Sequence, residues 1–369
     1  MKKLLFIFLF CLLTVAAVFS QEKLNVYYED DSVIFCSSDY IDTYLIAAAL
    51  NKEFDNVNIR AKPWRAAKKY FLNYSDHDFV KNLDKYTGYT DNSWSNFNVI
   101  WPLMNYGFYG DSNKIPNDKV KTNAFGSKKK FQTFLLALEK FYIDTNAAEF
   151  FNSMQEYNEQ FQQGVDLYTE NGKIHNYFES MEKYIGTDNL QNKMYNVKYV
   201  IFSSLFREDY GASFITSSNE TNNLLIGFNH PMSWNTGKID VDFVVANSIH
   251  EFFHNYINRY VQARSSMIEG LAKKKDKKDF GGYGPYATMP WFRLVDENMV
   301  RAVETRIYAD IFGDDQQAYD YILKEQVERN NFASSLRMYN VLPEYEQNRD
   351  KYPSLDLYMD PLIKALFTE

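Results

Sequence analysis

Through most of the chain, apolar residues recur three and four positions apart, the spacing of one face of an α-helix. Residues 40–54, 64–71, 129–142, 147–161 and 174–184 all follow it, so the first half is predicted to be packed helices. The period shortens over residues 198–229. There YVIFSSLF, ASFITSS and NLLIGFN are short, rich in β-branched and aromatic residues, and separated by the polar turns REDYG and NETN, which predicts a small antiparallel sheet. A shorter β-like start covers residues 24–28 and 32–36. Helical spacing returns over residues 241–264, 291–312, 315–329, 334–342 and 355–367. The expected class is α+β, predominantly helical, with the small antiparallel sheet leading directly into the helix that starts at Val241.

The N-terminus stands outside this pattern. Lys2 and Lys3 precede an apolar run from Leu4 to Val18 and the small residue Ser20, the layout of a cleaved secretory signal peptide. Residues 1–20 are therefore set apart from the fold, and a secreted or periplasmic protein with no stable membrane span after cleavage is expected. Cleavage would remove Cys11 and leave Cys36 as the only cysteine, which excludes an internal disulfide. Stability must then come from burial, for which roughly 350 residues suffice. No repeat and no Pro/Ser/Gly-rich linker marks a boundary. The division expected is a mainly helical region over 21–195 and a second region over 196–369 that carries the sheet and the later helices.

A formal charge of −8 argues against nucleic acid as a partner, because binding a phosphate backbone needs a basic surface. The one basic cluster, KKKDKK at 273–278, lacks interleaved aromatics and reads as a solvated loop. Aromatic residues make up 17% of the chain; they suit a Phe/Tyr-packed core first and a carbohydrate or peptide groove second.

Chemistry concentrates in ANSIHEFFHNYINRYV, where His250, Glu251 and His254 form H-E-x-x-H. On a helix, positions i and i+4 project from one face a turn apart, so both imidazoles can reach one ion while Glu251 sits beside it as a general base. The flanks keep helical spacing without Pro or Gly, which is the geometry the motif needs. Zinc takes such a set with one further protein ligand and an open position for water. A metzincin would continue with a glycine and a third histidine, but Ile257 and Tyr260 stand there, so the third ligand must be a carboxylate from a later helix. WFRLVDENMVRAVETRIYAD offers Asp296, Glu297 and Glu304. At about 100° per residue, Glu297, Arg301 and Glu304 share a stripe from which Asp296 points away.

HEFFHNYINRY followed by W-x-x-x-x-D-E-N-M-V-R-A-V resembles the gluzincin-type metallopeptidases, and most closely a family of secreted bacterial proteins of unknown function that pair an H-E-F-x-H helix with an E-x-x-V-R-A helix. The resemblance implies a gluzincin-like zinc hydrolase fold acting on peptides or proteins, with Glu297 as third ligand and Glu304 as the alternative. Gluzincins often carry an Asp four residues after the ligand Glu to support a histidine; Arg301 stands there, so Asn247, Asn258 or Asp296 is expected to do that work. Oxyanion donors are sought among Tyr283, Tyr286, His230 and Arg301, with GGYGPY (281–286) as a mobile lip over the site. His77 and His175 read as ordinary surface or core residues. By analogy, NLLIGFN would be the edge strand that takes extended substrate. The rival reading is a non-catalytic secreted binding or scaffold protein, glycan-directed through its aromatics, with a structural or vestigial metal site.

Overall fold

Helices form where the three-and-four spacing places them. The structure is a computed structural model describing residues 24–52, 62–87, 93–115, 120, 124–186, 197–206, 211–217, 223–231, 238–312, 320, 324, 327–328 and 331–368, with the backbone alone described for 93–97, 197, 211–217, 223, 285 and 310–312. The order is β1 (Asn25–Glu29), β2 (Val33–Ser37), α1 (Asp39–Asn51), α2 (Lys62–Phe71), α3 (Asp78–Lys81), α4 (Leu83–Thr87), α5 (Ser93–Tyr109), α6 (Lys128–Asp144), α7 (Ala147–Asn152), α8 (Gln155–Thr169) and α9 (Lys173–Ile185). It continues through β3 (Val197–Ser203), β4 (Gly211–Ser217), β5 (Asn223–Asn229), α10 (Val241–Gln262), α11 (Ser265–Ala272), α12 (Trp291–Phe312), α13 (Ala333–Gln347) and α14 (Leu355–Phe367). The expected signal peptide and most of the expected helix over 315–329 lie outside the described residues. Among those described, no helix is long and apolar enough to cross a membrane.

Two helical expectations need correction. The single run over 147–161 is two helices, because Ser153 ends the first: its Oγ donates to the Phe150 carbonyl at 2.6 Å, a local bond that competes with helix continuation. Helix α5 is absent from the periodicity reading because it holds Pro102 and Gly107 and is apolar through its middle, which hides any polar face.

The sheet is mixed, and not antiparallel as expected. Its order is β1-β2-β3-β5-β4, with β5 parallel to β3 (Val197 opposite Asn223) and antiparallel to β4 (Gly211 opposite Asn229). Strands β4 and β5 make the hairpin their short polar connection predicts, but the hairpin lies against β3 through β5. Residues 224–230 are buried without interruption, as befits a strand covered on both faces. NLLIGFN is therefore an interior strand, and the edge on that side is β4, which corrects the expected substrate strand.

Contacts divide the chain into two units, and the division differs from the expected one at 195/196. Residues 36–155 and 204–208, with the segment up to 26, form the first, while 27–35, 156–203 and 209–369 form the second, so α8 and α9 belong with the sheet and the motif helix. The first unit is held by buried phenyl rings: Phe71, Phe79, Phe125, Phe131, Phe134 and Phe141 are all 0–1% exposed, with Phe71 meeting Phe150 edge-on at 4.9 Å. His77 caps α3 there, accepting from Phe79 N–H at 3.1 Å, and its Nε2 meets Asp144 at 2.9 Å. The aromatic excess is thus largely core.

In the second unit α10 crosses the sheet at close range. A Cβ at Gly227 of β5 would stand 3.1 Å from both Phe252 and Ser248, so this glycine lets strand and helix approach. Asn229 donates to Ser248 Oγ and accepts from Asn247, each at 2.6 Å, which fixes the rotation of α10 over the strand.

The β1–β2 turn of this unit is built by Asp30, whose Oδ1 accepts from the N–H groups of Ser32 and Val33 at 2.8 Å and whose Oδ2 meets the Tyr28 hydroxyl at 2.5 Å and His175 Nε2 at 2.9 Å. Partial burial opposes ionisation, but these hydrogen bonds and the His175 charge hold the Asp30 carboxyl down at about 2. A folded pKa below the ordinary 3.8 stabilises the fold above that value, and the contribution is lost as pH falls towards 2. Discounted for the solvent that screens this partly exposed carboxyl, Asp30→Asn should lower unfolding stability at neutral pH by about 1 kcal/mol, a gap that closes as the pH approaches 2, as read by urea melts.

Candidate metal centre

Two helices of the second unit supply every charged group of the site. Helix α10 starts at Asp240, whose carboxylate caps it by accepting from Phe243 N–H at 2.9 Å. Val244, Val245, Ile249, Phe252, Phe253 and Ile257 bury one face, and this leaves Asn247, His250, Glu251, His254 and Asn258 on a half-buried stripe. Helix α12 is buried on almost every side from Leu294 to Ala309. Its buried polar residues must each find a partner. Thr305 bonds the Arg301 carbonyl at 2.7 Å, and Asn298 donates to the carbonyls of Phe280 and Leu294 and accepts from Ser335. Asp296 and Glu304 find theirs on α10.

Glu304 Oε2 lies 2.7 Å from His250 Nδ1, and Asp296 Oδ2 lies 2.8 Å from His254 Nδ1. An ionised carboxylate has no proton to give, so each Nδ1 donates and each Nε2 is left as the other face of the ring. The two Nε2 atoms then point at each other 3.2 Å apart. Glu297 Oε1 stands 3.7 Å from His254 Nε2, and one donor atom from each of His250, His254 and Glu297 lies within 4.8 Å of the others, a group able to hold a metal ion. The other oxygen of Glu297 takes a hydrogen bond from Arg301 Nη1, which also bonds the Glu297 carbonyl at 2.9 Å. Beneath the guanidinium lies the Phe332 ring, 3.9 Å from Cζ to centroid.

The electrostatics of this arrangement are set by the surplus of acids. Burial opposes a charged His254, but the Asp296 hydrogen bond and the Glu297, Asp296 and Glu251 carboxylates outweigh it and push the imidazole up to about 9. Burial likewise opposes ionised Glu297, and Arg301 with both histidines brings its carboxyl down to about 2. Arg301 is itself buried yet held above its ordinary value by Glu297, Tyr286 and Glu304. Four carboxylates thus surround two imidazoles with one permanent cation among them.

Of the residues singled out from sequence, the site gathers His250, His254, Glu297, Arg301, Glu251 and Tyr286. Burial, with Glu297 and Glu251 nearby, raises the Tyr286 phenol, while its contact with Arg301 pulls the other way. Tyr283 is 48% exposed and lines a separate cleft, and His230 is buried just beyond β5. Asp296 does not point away as the helical wheel suggested, because the two imidazoles lie a turn apart and reach both sides of the α12 stripe. Glu304, expected as the alternative ligand, is engaged by His250 Nδ1. The amide of Asn247 goes to Asn229, and Asn258 is not the acceptor at either ring nitrogen. The glycine-rich lip over 281–286 follows one 3₁₀ turn, Lys277–Phe280, and runs into a second, Gly284–Thr288. Phe332 escaped the sequence reading entirely, since nothing local ties it to Arg301, 31 positions earlier.

Removing either supporting carboxylate should loosen metal without unfolding the protein. Asp296→Asn and Glu304→Gln are each expected to weaken zinc affinity by about 10–100-fold in chelator competition. Because the His254 proton must leave before its nitrogen can coordinate, wild-type affinity should rise about tenfold per pH unit from neutral pH and level off near pH 9.

No curated protein and no solved structure matches this chain. A family described as a domain of unknown function (DUF4932) matches residues 29–365, a span that takes in β2 to β5, both helices of the candidate metal site and α13. The chain therefore belongs to the DUF4932 family.

Proposed function

We propose that the chain is an exported zinc-dependent peptidase with a gluzincin-like arrangement of ligands. One observation carries this reading: two imidazoles locked by carboxylates on Nδ1 present their Nε2 atoms 3.2 Å apart, with a carboxylate of a second helix alongside. Two lone pairs facing at that distance repel unless a proton or a cation lies between them. Two nitrogens on one tetrahedral zinc, at about 2.0–2.1 Å each, stand roughly 3.3 Å apart. Two nitrogens, one carboxylate oxygen and excess negative charge make a donor set that suits this ion.

Bound there, zinc supplies Lewis acidity towards a scissile carbonyl and acidifies water. The protein's own groups do the rest. Glu251, beside His250 and close enough to act on His254 electrostatically, is placed to take a proton from water and pass it to the leaving amine. Tyr286, un-ionised because its phenol is raised, keeps a proton to donate to a developing oxyanion, with Arg301 behind it. Arg301 also holds one oxygen of Glu297, which leaves the other for the ion. Peptides or proteins are the substrate class this chemistry fits.

Metal content and turnover, measured together, test the reading. Glu251→Gln should keep zinc and lose about 10³-fold or more of peptide hydrolysis, whereas His254→Ala should lose both. Wild-type protein that cannot take up zinc would end the metal hypothesis, and full zinc without hydrolysis of a broad peptide library would favour a binding protein.

A further inference from the structure

The lysine cluster is solvated as its composition suggests, with Lys273, Lys274 and Lys278 exposed, but it is not a loose loop. Lys273, Lys274, Lys275 and Lys278, joined by Arg337 of α13, line a cleft of about 890 Å³. Asp279 is the only carboxylate among the lining residues, so this wall is strongly cationic on a chain whose formal charge is −8. Tyr283, 48% exposed, adds an aromatic face.

What separates this cleft from a loose run is that its backbone is fastened. Lys277 turns away from its neighbours, donating to the Met289 carbonyl at 2.5 Å above the Trp291 ring. Asp276 caps the following 3₁₀ turn through Lys278 N–H at 3.0 Å, and Ser334 Oγ bonds the Asp279 carbonyl at 2.9 Å. Phe280 is buried against Phe367 and Trp291, with its carbonyl held by Asn298 at 2.9 Å. Gly281, at φ +84°, lies so close to Phe332 that a Cβ would stand 2.5 Å from the ring. Ammonium groups displayed from a fixed concave frame lose less freedom on meeting an anion than those on a loose loop.

The cleft is connected to the metal centre only through neighbouring residues of the same segments. Phe332 stacks on Arg301 and meets Tyr286 edge-on at 5.3 Å, and the next residue, Ala333, lines the cleft. Asn298, which holds Phe280, lies one residue beyond Glu297. We propose that this cleft binds anionic side chains of a peptide, so that the substrate of the site described above is an acidic peptide or protein. This rests on the peptidase reading for the word substrate, but the anion site itself stands or falls by binding.

The test uses full-length, zinc-loaded Glu251→Gln protein, which holds a peptide without cleaving it. Anisotropy would compare a short dansyl-labelled Glu/Ala peptide with its Gln/Ala counterpart. The acidic peptide is expected to bind about tenfold tighter, with the preference abolished by about 0.5 M salt and by combined Lys273→Gln, Lys274→Gln and Lys278→Gln substitution, at unchanged zinc content. Equal binding of the two peptides, or an unchanged preference in the lysine variant, overturns the proposal. A preference that persists while wild-type protein hydrolyses neither peptide nor protein would overturn the peptidase reading and uphold the anion site.

Discussion

The second unit depends on one constraint, which is that α12 carries Asp296, Glu297, Arg301 and Glu304 into an interior that penalises lone charge. An uncompensated buried carboxylate costs several kcal/mol, far more than any single apolar contact returns. Each of these acids is therefore answered by a specific group: His254 for Asp296, His250 for Glu304, Arg301 for Glu297. The pairing sets the register of α10 on α12 more sharply than apolar packing can, because charge-assisted hydrogen bonds are directional and dispersion is not.

The same pairing prepares the chemistry. A carboxylate on Nδ1 turns each imidazole so that its remaining nitrogen faces the other, and the excess of acids over bases makes the gap between them a place where positive charge is stabilised. Stability and ligand orientation thus come from the same bonds. The sheet contributes at one remove: Gly227 admits α10 closely, and Asn229 locks its rotation through Ser248 and Asn247. Phe332 performs the corresponding service for Arg301, covering a buried guanidinium whose desolvation Glu297, Tyr286 and Glu304 also offset.

This leaves the loop between the metal-site helices with two aspects. Tyr286 belongs to the acidic side, by the candidate metal site, and Tyr283 to the lysine-lined side, three residues apart in a segment pinned at Lys277, Phe280 and Gly281.

The amino-acid sequence by itself determined most of the long helices, because their apolar spacing is local, and it determined the His250–Glu251–His254 face, because a helix fixes what lies four residues apart. The helical stripe narrowed the third ligand to Glu297 or Glu304, and only the family resemblance chose Glu297. Sheet order was not, since a hairpin's polar turn says that β4 and β5 pair but not which of them meets β3; only the unbroken apolar run of NLLIGFN hinted at an interior strand. Asp296, rather than Asn247 or Asn258, as the partner of a ring nitrogen, Glu304 as the other, and Phe332 beneath Arg301 were decided by the tertiary structure. Such contacts depend on the angle and depth at which two helices cross, which is set by the summed packing of residues far apart in the chain and leaves no periodic mark on any one segment.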